Sequence, residues 1–194
     1  RMFPFSYFSS LPVPADKQPK NILFFGRISK YKGVTMLLDA MPEVIQHYPD
    51  AQLIIAGKGA DESILSNENL KKFGNNIKLI NRYIPNAELA RLLTEAKFVV
   101  CPYTDASQSG VLMTSFAMGK PVVATNVGAF SEYVNHNRNG KLIEPNTEEL
   151  AKGINEMLYE DFYKQLQQNI QTDNKKEGWH NNVAKLLNAW ANKN

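Results

Sequence analysis

One cysteine in 194 residues, Cys101, rules out an internal disulfide, and nothing in the chain calls for an oxidising compartment. Its apolar neighbours in "FVVCPY" mark it as a buried strand residue rather than a reactive thiol. Basic clusters are missing as well: 22 Lys and Arg stand against 19 Asp and Glu, and the net charge of +3 is spread along the chain. That pattern excludes a nucleic-acid footprint, so any anion site must be local. No apolar run reaches the roughly 18 residues that span a bilayer. The opening "RMFPFSYFSSLPVP" has too many prolines and aromatics for a signal peptide, so the chain reads as soluble. With Arg1 before Met2 it also reads as a piece excised from something longer. His47, His136 and His180 lack ligand spacing, and no metal site is expected from them. There is no internal repeat, no low-complexity tract and no Ser/His/Asp arrangement for a nucleophile.

What is present suits a packed core: 43% of residues are hydrophobic and 21% charged. After an irregular leading segment, 1–20, short apolar runs alternate with helical patterns. "NILFFG", "AQLIIAG", "NIKLIN", "KFVVCPY", "PVVAT" and "GKLIEP" read as strands. Between them lie expected helices from Gly33 to about Tyr48, from Glu62 to Phe73, over "NAELARLLTEA", from Val111 to Met118 and over "AFSEYV". Six strands alternating with helices predict an α/β fold, a Rossmann-like doubly wound parallel sheet with helices on both faces over 21–158. C-terminal helices over 159–194 follow. Thr147 is the expected N-cap of the helix that opens at "TEEL", and Trp179, Val183, Leu186, Leu187 and Trp190 form an apolar stripe near the end. Met113 and Met118 read as core.

In an open parallel sheet, ligands bind where strand ends feed helix N-termini. In "FFGRISKYKGV", Gly26 frees the turn, Arg27 follows it, and Lys32 stands with Gly33 at a helix start. Two cations beside exposed helix amides suit a diphosphate, against the competing reading of solvated surface charges, which fits Lys30 better. This is neither a GxGxxG fingerprint nor a GxxxxGK[ST] loop, which leaves an oxidoreductase the least favoured class. "AGKGAD" supplies Gly57 and Gly59, as ligand-approach or plain turn glycines. In "PYTDASQSGV", Ser107, Ser109 and Gly110 precede a helix, Gln108 can donate and accept, and Asp105 can accept from sugar hydroxyls or merely cap the turn.

"GRISKYKG", "AGKG", the polar loop ending in "SGV", and "GKPVVATNVGAFSEYV", in this order, resemble the donor-binding half of retaining glycosyltransferases of the GT-B fold, family 4 (glycosyltransferase group 1). The resemblance covers roughly Asn21 to Leu158. It implies that Arg27 and Lys32 hold the donor's diphosphate and stabilise the departing nucleotide, and that Arg82, Tyr83 and Ile84 of "NRYIP" flank the nucleobase. Gly26, Gly57, Ser107, Gln108, Ser109, Gly110, Val111 and Thr114 complete the implied donor site. The family carries a spaced pair of glutamates on sugar and ribose. Here the matching places hold Ala106 and Thr114, so Asp105 is expected to take the sugar contact. Glu132 matches a family glutamate expected to be structural.

The implied enzyme has two Rossmann-like domains and transfers a sugar from a nucleoside diphosphate sugar, as in polysaccharide or glycoconjugate biosynthesis. The acceptor is bound by an N-terminal domain missing here, so the fragment alone is expected to be inactive. No cofactor or nucleic acid is implied. The full enzyme is expected in the cytoplasm, with association at the inner face of the cell membrane. The alternatives are a nucleotide-sugar-binding module without catalysis, or an epimerase or phosphorylase of the same fold.

Overall fold

The structure, a computed structural model, describes residues 20–105 and 109–177. The leading segment up to residue 19 and the stripe with Trp179 and Trp190 lie outside them. Apolar runs with no polar alternation can only be strands covered on both faces. They become β1 (Asn21–Phe25), β4 (Phe98–Cys101) and β5 (Val122–Thr125), whose side chains are buried almost throughout. β2 (Gln52–Gly57) lies next to β1, while the more polar β3 (Ile77–Asn81) and β6 (Gly140–Ile143) form the edges. All pairs are parallel in the order β3-β2-β1-β4-β5-β6, with Leu23 opposite Ile54 on one side and Val99 on the other. The chain therefore reverses its direction of winding between β1 and β4.

The helices are α1 (Val34–His47), α2 (Glu62–Leu65), α3 (Glu68–Lys72), α4 (Asn86–Glu95), α5 (Gly110–Ala117), α6 (Phe130–Tyr133), α7 (Thr147–Leu158) and α8 (Glu160–Glu177). α1 packs against α7 and α3, whereas α4 rests on β1 and α5 on β4. Right-handed crossovers set these two groups on opposite faces of the sheet. The single helix expected from Glu62 to Phe73 is two. Asp61 caps the first through Ile64 N, and Asn67 takes the amides of Asn69 and Leu70, which ends one helix and starts the next. Thr147 is not the cap of α7: Asn146 is, accepting from Glu149 N at 2.9 Å. Met113 and Met118 are half-buried at the rim of the core.

α8 is fastened to this body by charge as well as by Tyr163, Leu166 and Ile170, all buried. Lys97, only 3% exposed ahead of β4, pairs with Glu160 and lies 4.6 Å from the centre of the Tyr163 ring. Arg138, ahead of β6, forms two hydrogen bonds with Asp173, and Lys141 pairs with Glu156 of α7.

Lys120 is a buried cation with no carboxylate partner among the described residues. Its Nζ donates to Ala96 O at 2.7 Å and Thr94 O at 3.1 Å, where the α4 carbonyls run out of helical partners. Burial lowers it from 10.5 to about 8. Between those values the unfolded chain binds the extra proton, so raising the pH favours the folded state. From about pH 7 to 9 this one group adds about 1 kcal/mol, and Lys32 shifts in the same direction. Higher up the sign reverses, because burial raises the Cys101 thiol from 9.0 to about 12 and lifts the Tyr103 and Tyr163 phenols above their ordinary 10.0. Urea midpoints should climb to just below about pH 10 and then fall, with Lys120→Met flattening the climb. A midpoint already falling between about pH 7 and 9 would contradict this account.

Candidate functional site

The crevice where winding reverses opens at the carboxyl ends of β1 and β4, the place where an open α/β sheet receives its ligand. The loop leaving β1 turns at Gly26, whose φ is 110°, and then carries Arg27 outward. Its backbone is tied to the loop after β2 by Gly26 N to Ala56 O at 3.0 Å and Ile28 N to Lys58 O at 2.9 Å. A 3-10 turn over Lys30–Lys32 then delivers Gly33, the N-cap of α1. Gly57 is a packing glycine of this crest: a Cβ there would sit 1.8 Å from Gly26 O.

The loop leaving β4 closes the other side. Thr104 N donates to Tyr31 O at 2.8 Å, and a Cβ placed at Gly26 would meet Val111 Cγ2 at 3.5 Å. The buried hydroxyl of Thr125 on β5 donates to Tyr103 O at 2.6 Å, fixing the exit of β4 from below. Two loops far apart in sequence thus face each other over a few ångströms.

Among the described residues neither Arg27 nor Lys32 is paired with a carboxylate. Among the described residues Arg27 forms no ion pair or hydrogen bond. Lys32 has no carboxylate either: its Nζ lies 3.6 Å from the centre of the Tyr103 ring and 5.1 Å from that of Tyr31. Burial lowers its pKa from 10.5 to about 8, only partly opposed by the neighbouring Cys101 thiol. A half-buried ammonium beside a helix N-terminus is a site prepared for an anion. Lys30, by contrast, is exposed, as the sequence suggested.

A model of the glycosyl transferases group 1 family matches residues 19–160. The chain belongs to the group 1 glycosyl transferases. A glycosyltransferase of Methanocaldococcus jannaschii is 30% identical over 185 residues, which are 93% of this chain and 46% of that protein. The phosphatidyl-myo-inositol mannosyltransferase of Mycobacterium tuberculosis is 30% identical over 129 residues, covering 66% of this chain and 33% of its own. The chain therefore spans less than half the length of these curated relatives. The fold is shared with Anabaena HepE solved in complex with UDP, at a TM-score of 0.71 and 23% identity over 89% of this chain and 49% of that one. It is shared too with the C-terminal domain of the group 1 protein LpcC from Francisella tularensis, at 0.73 and 20% identity, covering 90% of this chain and 97% of that domain.

The remaining predicted residues of this glycosyl transferase domain divide by place. Ser109 caps α5 without a side-chain cap bond, Gly110 is the first helical residue, and Asp105 is exposed with no ion pair or hydrogen bond among the described residues. Ser107 and Gln108 lie outside the described residues. Thr114 faces a limit: its hydroxyl donates to Gly110 O at 2.7 Å, leaving only lone pairs for a ligand. At the end of β3, Tyr83 is 73% exposed and Ile84 is half-buried, but the Arg82 guanidinium is held by two 2.8 Å bonds to Glu88. Arg82 is thus engaged by an exposed ion pair rather than left unpaired.

Glu132 is exposed on α6, where its backbone N–H donates to Ala129 O at 3.1 Å and its carboxylate forms no ion pair among the described residues. His47 and His136 hydrogen-bond local backbone carbonyls or amides, and the described residues hold no group of three metal-ligating side chains. No helix of the described residues is long and apolar enough to cross a membrane.

Sequence reading missed two residues. Asn81 Oδ1 accepts from Gly59 N at 3.0 Å and Ala60 N at 3.2 Å, binding the ends of β2 and β3 together. Tyr103 underlies Lys32. Only its place at the end of a strand, inside a loop already of interest, signalled it.

Proposed function

We infer that this chain is the donor-binding domain of a retaining GT-B glycosyltransferase of the family 4 type, which holds a nucleoside diphosphate sugar for transfer to an acceptor. One observation carries the reading: among the described residues Arg27 and Lys32 stand without counter-charges on one loop of the switch-point crevice, beside the α1 N-terminus. Negative charge grows on the nucleotide as the glycosidic bond breaks, and cations fixed there stabilise that state more than the ground state. The reading assigns this task to the two side chains and calls for no cofactor. Asp105, free and exposed, accepts from the sugar, while Tyr83 and Ile84 flank the base.

The likeness to a structure carrying UDP supports a nucleotide ligand. Retention of configuration, the polysaccharide or glycoconjugate product, and a cytoplasmic, membrane-face setting rest on the family resemblance. The acceptor belongs to a second domain outside this chain. A non-catalytic sugar-nucleotide module is the second reading, favoured by Thr114 standing where the family pattern has a glutamate.

Calorimetric titration of UDP, GDP and ADP decides between occupied and lost donor site. Binding of one of them is expected, and binding of none at millimolar concentration overturns the reading. Sugar transfer by the chain joined to its acceptor domain then separates enzyme from module.

A further inference from the structure

Among the described residues Tyr103 is the largest fully buried side chain, 1% exposed, yet it sits at the lip of the crevice. Elements from both halves of the sheet converge on it. Phe130 of α6 lies against its ring with centroids 5.1 Å apart, Tyr31 meets it edge-on at 6.1 Å, and Thr125 anchors its carbonyl. One ring face carries the Lys32 ammonium at 3.6 Å, within cation–π range. Its hydroxyl faces Ser109 and Cys101 without a well-formed hydrogen bond among the described residues. The ring face is what Lys32 uses.

A free lysine side chain samples many rotamers and is strongly hydrated, and both must be given up when it grips a phosphate. Over the Tyr103 face the ammonium has already lost much of its water and its freedom. We propose that Tyr103 is a positioning residue, whose ring holds the Lys32 ammonium at the mouth of the crevice and so strengthens its grip on a diphosphate. The role rests on the donor-site reading above. The groups facing Lys32 are Tyr31 on its own turn, Cys101 at the end of β4, and Tyr103. Among the described residues no carboxylate pairs with Lys32 and competes with the ligand.

The test uses NMR of the Lys32 ε-methylene protons in this chain, together with binding of UDP, GDP, ADP and inorganic pyrophosphate. In the wild-type protein these protons should be shifted upfield by the ring current and titrate near pH 8. Tyr103→Met, which refills the volume without a π face, should abolish the upfield shift. It should weaken diphosphate binding roughly fivefold to tenfold, the scale of one immobilised side chain. Tyr103→Phe restores both the upfield shift and the affinity, because it restores the ring. In a Lys32→Ala background, Tyr103→Met should weaken binding no further.

The wild-type spectrum needs no variant to fold, and absence of the upfield shift there overturns the proposal. Equal weakening with and without Lys32 overturns it too, since the tyrosine would then act only through general structure. If no diphosphate binds the wild-type chain, the donor-site reading falls and takes this role with it. Binding with Lys32 unmoved by Tyr103→Met sinks the positioning role alone.

Discussion

Gly33→Ala is expected to destabilise this domain by about 3–5 kcal/mol, near the top of the range for single substitutions. Two separate penalties meet at the residue. Its φ of 67° is left-handed, which adds roughly 1 kcal/mol for any residue with a side chain. An added Cβ would also stand 1.8 Å from Pro102 O and 2.9 Å from its carbonyl carbon, so the β4 exit must move away from the start of α1. That carbonyl belongs to the loop that carries Tyr103, so the displacement reaches Lys32. Gly119→Ala is the control: its φ is also 67°, but a Cβ there meets nothing within 4 Å. Urea denaturation should show a loss of about 1 kcal/mol for Gly119→Ala and several times that for Gly33→Ala. Equal losses would mean that the β1 and β4 loops are not packed as described.

The second large effect concerns binding. Arg27→Ala and Lys32→Ala should each weaken the preferred nucleoside diphosphate by about 1.5–3 kcal/mol, as a lost hydrogen bond to a charged group does, and the double variant should show no measurable binding. The two differ in pH dependence. Lys32 starts at about 8 in the empty site, and a bound diphosphate raises it. The ligand thus prefers the protonated form, so affinity holds below about pH 8, falls by up to tenfold per unit above it, and proton uptake accompanies binding there. The phosphate's own last ionisation, near 6, lies below that window. Arg27→Ala should keep the alkaline fall and Lys32→Ala should lose it. A fall that survives Lys32→Ala would place the titrating group elsewhere.

The sheet was legible because its central strands are apolar on both faces, and continuous runs such as those of β4 and β5 admit little else. Boundaries failed where a single side chain decided them. Asn67 splits an expected helix by taking two amides, and Asn146 displaces Thr147 as a cap. Neither signal rises above the helical periodicity around it. The cations of the site were visible through their spacing from Gly26 and Gly33. What made Lys32 unusual was not, because the aromatic ring beneath it comes from a residue 71 positions along the chain, brought near by a crossover. The same limit hid the clamp on Arg82: Glu88 is close in sequence, but only the turn between β3 and α4 shows that the two meet.

The pairing of Lys97 with Glu160 bears on where this protein can be cut. The family match ends at residue 160, which invites a boundary there or at Leu158. Trimming to Leu158 would strand an ammonium that is 3% exposed, removing its carboxylate and the Tyr163 ring above it. It would also uncover the seats of Leu166 and Ile170. The shortest piece that folds is thus set by α8, and any recombinant or chimeric version should retain the chain through Asp173, where Arg138 finds its partner.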